Sequence, residues 1–203
     1  LFMSGGVDAL EPIVAQLQQA HLSMKYANVP VVAAVAGLAL GGGCELLMHA
    51  SRRVACLESY IGLVEVGVGL VPAGGGLKEA ALRAAAEARG NDLLQFLKNY
   101  FLNAAMANVA KSAYEAQQMG YLSASDIIVL NPYELLHVAK VEARAMYEAG
   151  YRPPQRKRVP VAGRYGIATI MAQLLNMRDG SFISEHDYKI GTLIAEIVSG
   201  GDV

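Results

Sequence analysis

The sequence predicts an α/β domain whose second half is rich in helices. Short β-branched runs alternate with stretches of helical periodicity up to about residue 130, and glycine-rich segments separate several of them. Beyond that point the apolar residues follow helical spacing. At 203 residues the chain is long enough to bury the core of one substantial domain.

The first third of the chain predicts two helices and several short strands. Residues 13–27 have helical periodicity, and "VPVVAAVAG" (29–37) is typical of a strand buried on both faces. A second helix is expected over about 42–50, with short strands or extended loops at 52–56 and 59–63. The apolar side of the first helix consists of Ile13, Leu17, Ala20 and Met24.

The middle of the chain begins with a glycine-rich loop at 67–76 that leads into a helix near Leu77. Asn131 and Pro132 then open a long helix that ends before Gly150, with the asparagine as its N-cap. Between these points the periodicity predicts helices over about 77–89, 91–103 and 111–119 and a strand at 127–130.

The segment "YRPPQRKRVPVAGRYG" (151–166) marks a boundary, because it combines three prolines with five basic residues. We therefore predict a core at 1–150, followed by a basic proline-containing linker and C-terminal helices at 151–203. These helices are expected at about 166–177 and 185–199, and Ser184 with Asp187 resembles a capping box for the last one.

Composition excludes several classes of protein. Seventeen basic and eighteen acidic residues give a net charge of −1, which indicates no nucleic-acid partner. The most membrane-like stretch, 29–44, has no charged residue, but it contains Pro30 and is short for a membrane span. Two cysteines and four scattered histidines fit neither a disulfide framework nor a metal site. We expect a reducing, intracellular setting and interpret the histidines as surface or packing residues.

Neither glycine-rich segment matches a nucleotide-binding motif. A phosphate loop starting at Gly69 requires a lysine where this chain has Gly75. A dinucleotide fingerprint starting at Gly67 requires glycine or alanine where this chain has Pro72.

The glycines that precede the second helix suggest a different use. The N–H groups of residues 41–43 lie at a helix start, where backbone donors are unpaired and the helix dipole is positive. They could form an oxyanion hole for charge that develops on a carbonyl oxygen. Close packing between helix and strand explains the same glycines equally well.

Two glutamates lie in apolar surroundings beside these glycine segments. Glu45 follows the first segment and Glu65 precedes the second. Paired carboxylates near amide donors are suited to proton transfer next to a polarised carbonyl. The alternatives are that Glu45 merely stabilises the helix dipole and that the two glutamates are separate, solvated side chains.

Residues 29–76, which contain "ALGGGCEL" and "GLVEVGVGLVPAGGG", closely resemble the signature region of the crotonase (enoyl-CoA hydratase/isomerase) superfamily. The match has no gap and includes the separation of the two glutamates. The resemblance implies a crotonase-like ββα spiral. The family's earlier half would lie upstream of Leu1, so the N-terminal half of that spiral is expected to be incomplete.

The resemblance assigns roles to residues of this chain. It implies that Glu45 positions and activates a water and that Glu65 exchanges a proton with the α-carbon of an enoyl-CoA thioester. The amide of Gly42 would bind the thioester oxygen, and the amide of Ala73 would hold the water. The remaining positions that match the substrate loops are Gly41, Pro72 and Gly74.

The resemblance also implies a fatty-acid β-oxidation enzyme, an acyl-CoA substrate, a homotrimer or hexamer and a cytoplasmic location. No cofactor is expected in this domain. The segment after Tyr151 is similar to the end of bacterial proteins in which a 3-hydroxyacyl-CoA dehydrogenase portion precedes a hydratase domain. The alternative is therefore a fragment of a larger NAD-dependent dehydrogenase in which this domain is an isomerase or a weak CoA-binding or docking module.

A basic cluster in the linker has two interpretations. It could meet a CoA phosphate, or it could be a solvated linker surface. Its members are Arg152, Arg156, Lys157 and Arg158.

Overall fold

The computed structural model describes residues 6–156 and 158–201, and it contains two small parallel sheets. A three-stranded sheet has the order β1-β3-β5, and a two-stranded sheet pairs β2 with β4. The chain alternates between the two sheets, so that two consecutive strands lead into a helix before the pattern repeats. The strands are β1 (Val32–Val35), β2 (Leu38–Leu40), β3 (Arg52–Cys56), β4 (Tyr60–Gly62) and β5 (Ile127–Val129).

Helices make up most of the remaining described structure. They are α1 (Leu10–Lys25), α2 (Gly42–His49), α3 (Gly76–Ala88), α4 (Leu93–Ala105), α5 (Ala113–Gln118), α6 (Leu135–Glu148), α7 (Gly163–Asp179) and α8 (Glu185–Ser199). Short 3-10 turns lie at Val7–Ala9, Glu65–Val68 and Pro132–Glu134. The predicted α/β class with a helical C-terminal region is confirmed.

The apolar run after Val29 forms two strands where the sequence predicts one. Gly37 lies between them with a left-handed φ of +63°, which ends β1 and redirects the chain into β2 of the other sheet. This turn places the three glycines and α2 directly after β2. The positions of Gly42 and Glu45 therefore follow from the turn at Gly37.

Helix α1 is present as predicted, but most of its predicted apolar side does not face the protein. Ile13 and Leu17 are about two-fifths exposed. Within the described chain, the one buried residue of α1 is His21. The face of α1 that lies against the rest of the protein therefore combines buried His21 with half-buried apolar residues such as Leu22 and Met24.

The two C-terminal helices share the main hydrophobic core. Ile170 of α7 and Ile194 of α8 are fully buried in the same cluster as Leu47 of α2 and Phe101 of α4. The predicted capping box of α8 is confirmed, since Ser184 and Asp187 bond reciprocally. Helix α7 begins at Gly163, slightly before the predicted start.

The described residues of the linker before α7 have no regular secondary structure. Arg156 of the basic cluster lies over the ring of Tyr26, and Lys157 falls outside the described residues. In the described part of the chain, none of the helices combines the length and hydrophobicity needed to cross a membrane.

Candidate active site

Glu45 lies in the first turn of α2 and is buried, with 2% of its surface exposed. The turn before it depends on Gly41, which has a φ of +54° and donates its N–H to the carbonyl of Gly62 at 2.9 Å. The Glu45 N–H in turn donates to the carbonyl of Gly41 at 3.0 Å. The first glycine segment therefore positions this glutamate at the start of α2.

Two backbone amides of the glycine-rich loop hold the carboxylate of Glu45. Gly74 donates to Oε2 and Gly76 donates to Oε1, each at 2.9 Å. Hydrogen bonds to an ionised carboxylate are about twice as strong as neutral ones, and they offset part of the cost of burying this charge. A Cβ on Gly74 would stand 2.2 Å from Oε2, so this position requires glycine.

Glu65 opens the 3-10 turn that follows β4 and is half-buried. Its Oε1 lies 3.4 Å from the position that a Cβ on Gly41 would occupy. Its Oε2 is buried and has no hydrogen-bond partner among the described residues. An acceptor left in this state is available to a bound molecule.

The pKa of Glu65 is raised above its ordinary value. Burial is the largest cause, because it penalises the charged form, and the negative charge of Glu45 adds to it. Backbone hydrogen bonding at Glu65 and Val64 acts in the opposite direction. The two carboxylates are thus close enough to influence each other electrostatically.

The other predicted positions lie around this pair. Gly42 is the exposed first residue of α2, so its N–H has no carbonyl one turn earlier in the helix to bond. A Cβ on Gly42 would meet nothing within 4 Å, which leaves room for a ligand. Pro72 is buried, whereas Ala73 is exposed. The loop amides that bond Glu45 come from the residues after Ala73.

Two histidines that we interpreted as packing or surface residues lie directly behind Glu45. His49 Nδ1 is 2.7 Å from the backbone carbonyl of Glu45, and His21 Nδ1 is 2.8 Å from the carbonyl of Gly74. Each nitrogen must carry a proton to bond a carbonyl, which assigns the tautomer. The two rings stack with their centroids 4.9 Å apart. Both side chains are almost completely buried.

Charged residues surround this histidine pair. Lys25 bonds both carboxylate oxygens of Glu79 at 2.7 Å, and Lys78 bonds Glu79 at 2.6 Å and His49 Nε2 at 3.2 Å. Burial alone would raise the pKa of Glu79, but the hydrogen bonds from both lysines hold it below its ordinary value. Burial lowers the pKa of Lys25 and lowers that of His49 to about 4. At neutral pH His49 is therefore uncharged and accepts from Lys78.

Known proteins resemble this chain in sequence and in fold. Residues 10–123 match the family model described as "Enoyl-CoA hydratase/isomerase". Over 191 residues, 94% of this chain, the sequence is 40% identical to a "Probable 3-hydroxyacyl-CoA dehydrogenase" of Bacillus subtilis. Over 57% of this chain it is 37% identical to a "Putative fatty acid oxidation complex trifunctional enzyme" of Rickettsia felis. The chain spans 24% and 16% of the lengths of these two relatives.

Solved structures share the fold. An enoyl-CoA hydratase from Bacillus anthracis aligns with a TM-score of 0.55 and 21% identity, covering 96% of this chain and 63% of that one. A putative enoyl-CoA hydratase from Thermobifida fusca, solved in complex with CoA, aligns with a TM-score of 0.53 and 19% identity, covering 94% and 62%. At these identities the likeness establishes the fold alone.

Proposed function

Since this chain belongs to the enoyl-CoA hydratase/isomerase family, we propose that it adds water to the double bond of 2-enoyl-CoA thioesters with Glu45 and Glu65 as its catalytic pair. One observation carries the proposal. Glu45 is buried and fixed by two amides beside a second carboxyl whose buried oxygen has no partner among the described residues. Two carboxyl groups in different environments are suited to opposite roles in proton transfer.

The thioester carbonyl binds at the start of α2. Gly42 donates its N–H to the carbonyl oxygen, and the positive end of the helix dipole faces the same atom. When a nucleophile attacks the β-carbon, negative charge moves onto this oxygen. A donor that is already in place stabilises the resulting enolate without reorganisation.

The attacking water binds to Glu45. Each carboxylate oxygen of Glu45 accepts one amide N–H and retains a lone pair for a second hydrogen bond. The two amides fix the directions in which these remaining lone pairs point. Glu45 accepts a proton as the water oxygen forms its bond to the β-carbon, and the amide of Ala73 orients the same water.

Glu65 supplies the proton to the α-carbon. Its raised pKa favours the protonated form, which a general acid needs before it can donate. The proton leaves the carboxyl as the enolate returns to the thioester, and the reverse reaction takes it back. Glu65 alone suffices to move a proton along an enoyl chain, so isomerisation of 3-enoyl-CoA is the second candidate function.

The proposal also covers the longer protein to which this domain would belong. By likeness to the named relatives, we propose that this domain acts in fatty-acid oxidation within a protein that also contains a 3-hydroxyacyl-CoA dehydrogenase portion. A cytoplasmic location, and NAD as the cofactor of that portion, belong to the same proposal. Exposed apolar side chains such as Leu38 and Phe182 suit subunit contacts in a trimer.

The test is hydration of crotonyl-CoA by the full-length protein, followed as loss of the enoyl thioester absorbance. We expect the Glu45→Gln variant to lower kcat by at least about a hundredfold, the usual contribution of a general base. Glu58→Gln is the matched control, because Glu58 is exposed in the turn between β3 and β4. Hydration at the parent rate by Glu45→Gln would overturn the assignment.

A second substrate separates the two candidate functions. Conversion of 3-enoyl-CoA to 2-enoyl-CoA requires Glu65 but not a water held by Glu45. A parent protein that isomerises this substrate and does not hydrate crotonyl-CoA is an isomerase. A parent protein that does neither is a binding or docking module.

A further inference from the structure

Helix α1 contacts the glycine-rich loop through a row of polar side chains, which we call the α1 polar face. It consists of Gln18, His21 and Lys25, spaced so that all three lie on one side of the helix. Gln18 donates to the carbonyl of Ala73 at 2.7 Å, and His21 donates to the carbonyl of Gly74 at 2.8 Å. Lys25 bonds the carboxylate of Glu79 in the first turn of α3.

Packing between α1 and the loop is incomplete on this side. The apolar residues Ile13 and Leu17 of α1 are turned outward. A cavity of about 370 Å³ lies between α1, the loop and Ile197 of α8. The loop therefore has room to move, and hydrogen bonds from the α1 polar face oppose that movement.

Gly74 is fixed on both of its sides. Its N–H donates to Glu45 Oε2, and its carbonyl accepts from His21. These two groups belong to successive peptide planes that meet at the Gly74 Cα, so the two bonds together restrict its φ and ψ. If the His21 bond is lost, a glycine rotates freely, because it has the widest range of backbone conformations.

The stacked rings of His21 and His49 connect the hydrogen bond between His21 and Gly74 back to Glu45. His21 lies against His49, and His49 donates to the backbone carbonyl of Glu45. The carboxylate of Glu45 is thus held through Gly74, and its backbone is held through His49. The contacts form a closed ring of four residues that includes the glutamate.

We propose that His21 is a positioning residue for Glu45, acting through the Gly74 peptide with support from Gln18. The proposal rests on the proposed function, in which Glu45 holds the attacking water. His21 touches neither that water nor the thioester. Its contribution is to keep the Gly74 N–H directed at Glu45, so that the carboxylate presents its remaining lone pair to the substrate.

Two substitutions distinguish positioning from packing. His21→Asn retains a donor near the Nδ1 position but removes ring volume, and His21→Leu retains volume but removes the donor. If His21 positions the loop, His21→Leu lowers kcat for crotonyl-CoA hydration by about tenfold with KM within about twofold, and His21→Asn restores most of the rate. If His21 only fills space, the order of the two variants reverses.

A readout without activity tests the same contact. Amide hydrogen exchange in the segment 71–77 should be about tenfold faster in His21→Leu than in the parent and near the parent rate in His21→Asn. His137→Leu is the matched control, because it makes the same change at an exposed histidine on α6. If His21→Leu does not fold, Gln18→Ala removes the neighbouring tether from an exposed position and should accelerate the same exchange.

The outcomes separate the two proposals. If the parent hydrates crotonyl-CoA and His21→Leu equals the parent in both kcat and exchange, the positioning role is overturned and the hydratase proposal stands. If the parent does not hydrate any 2-enoyl-CoA, the hydratase proposal fails. Faster amide exchange in His21→Leu, with recovery in His21→Asn, then still shows that His21 holds the Gly74 peptide in place.

Discussion

The backbone N–H of Gly74 donates to the carboxylate of Glu45 at 2.9 Å, although the two residues are 29 positions apart in the sequence. A second amide, from Gly76, reaches the other oxygen. Burying a carboxylate without such donors would strongly destabilise the folded state. The conformation of the glycine-rich loop and the burial of the Glu45 side chain therefore depend on each other.

Substituting Gly74 tests this dependence. In Gly74→Ala the new methyl group would stand 2.2 Å from Glu45 Oε2, so the loop or the carboxylate must shift. We expect the free energy of unfolding to fall by about 1–3 kcal/mol, because the buried carboxylate loses a donor. Hydration of crotonyl-CoA should fall by about a hundredfold. Urea unfolding and steady-state kinetics measure the two effects.

Gly43→Ala is the control for stability. A Cβ at Gly43 meets nothing within 4 Å, and the residue lies inside α2. Alanine favours a helix over glycine, so the free energy of unfolding should stay constant or rise by up to about 1 kcal/mol. Equal losses in the two variants would mean that contact with Glu45 is not what makes Gly74 necessary.

Glu65→Gln should change the pH dependence of stability. The raised pKa of Glu65 means that the folded state binds its proton more tightly than the unfolded state does. The parent therefore loses stability relative to the variant as pH rises from about 4 through the raised pKa. Urea unfolding at pH 4 and pH 7 should place the two proteins close together at the lower pH and favour Glu65→Gln at the higher one. Exposed Glu58→Gln is the control, and a constant difference between parent and Glu65→Gln would contradict the shift.

The sequence predicted the two glutamates of the site more readily than the groups that hold them. Glu45 and Glu65 stand out as charges in apolar surroundings. The amides that bond Glu45 could not be chosen by spacing, because they depend on Gly75, whose φ of +105° turns the loop. His49 had a local signal, since its ring reaches the carbonyl four residues earlier. His21 had none, because it meets Gly74 only through the packing of α1.

The C-terminal helices should unfold together with the rest of the described chain. Ile194 of α8 is fully buried in the main core, and its neighbour Leu193 is 41% exposed. Ile194→Ala should therefore lower the free energy of unfolding by about 2–5 kcal/mol, while Leu193→Ala costs much less. Circular dichroism during urea unfolding should retain one transition in both variants. A separate early transition in Ile194→Ala would show that α7 and α8 form an independent unit.

The sequence predicted the ends of α8 because its capping signals are local. Ser184 and Asp187 bond each other's backbone within one turn. The division between β1 and β2 was missed, because a single glycine inside an apolar run does not reveal its φ. The exposed side of α1 could not be predicted from periodicity either. The helical spacing of apolar residues separates two faces of the helix, but it does not determine which face contacts the rest of the protein. In this helix Gln18 and His21 donate hydrogen bonds to the glycine-rich loop.

His49 should make the protein sensitive to mild acid. Burial lowers its pKa to about 4, and a second proton at Nε2 would face the ammonium group of Lys78 at 3.2 Å. The His21 ring stacks on the other side, and Glu79 lies 3.5 Å from Nε2. Glu79 favours protonation, but it is already bonded to two lysines, so burial dominates.

The unfolded chain binds a proton at His49 near pH 6.5, whereas the folded state resists protonation down to about pH 4. The contribution of neutral His49 to the free energy of unfolding is therefore fully present above pH 6.5. It is lost as pH falls toward 4, and the loss is on the order of 3 kcal/mol. His49→Asn keeps a donor for the Glu45 carbonyl and removes the titration, so its urea midpoint should change less between pH 7 and pH 4.5. His137→Asn, at an exposed position, should follow the parent. Parallel curves for parent and His49→Asn would contradict the neutral, buried state of this ring.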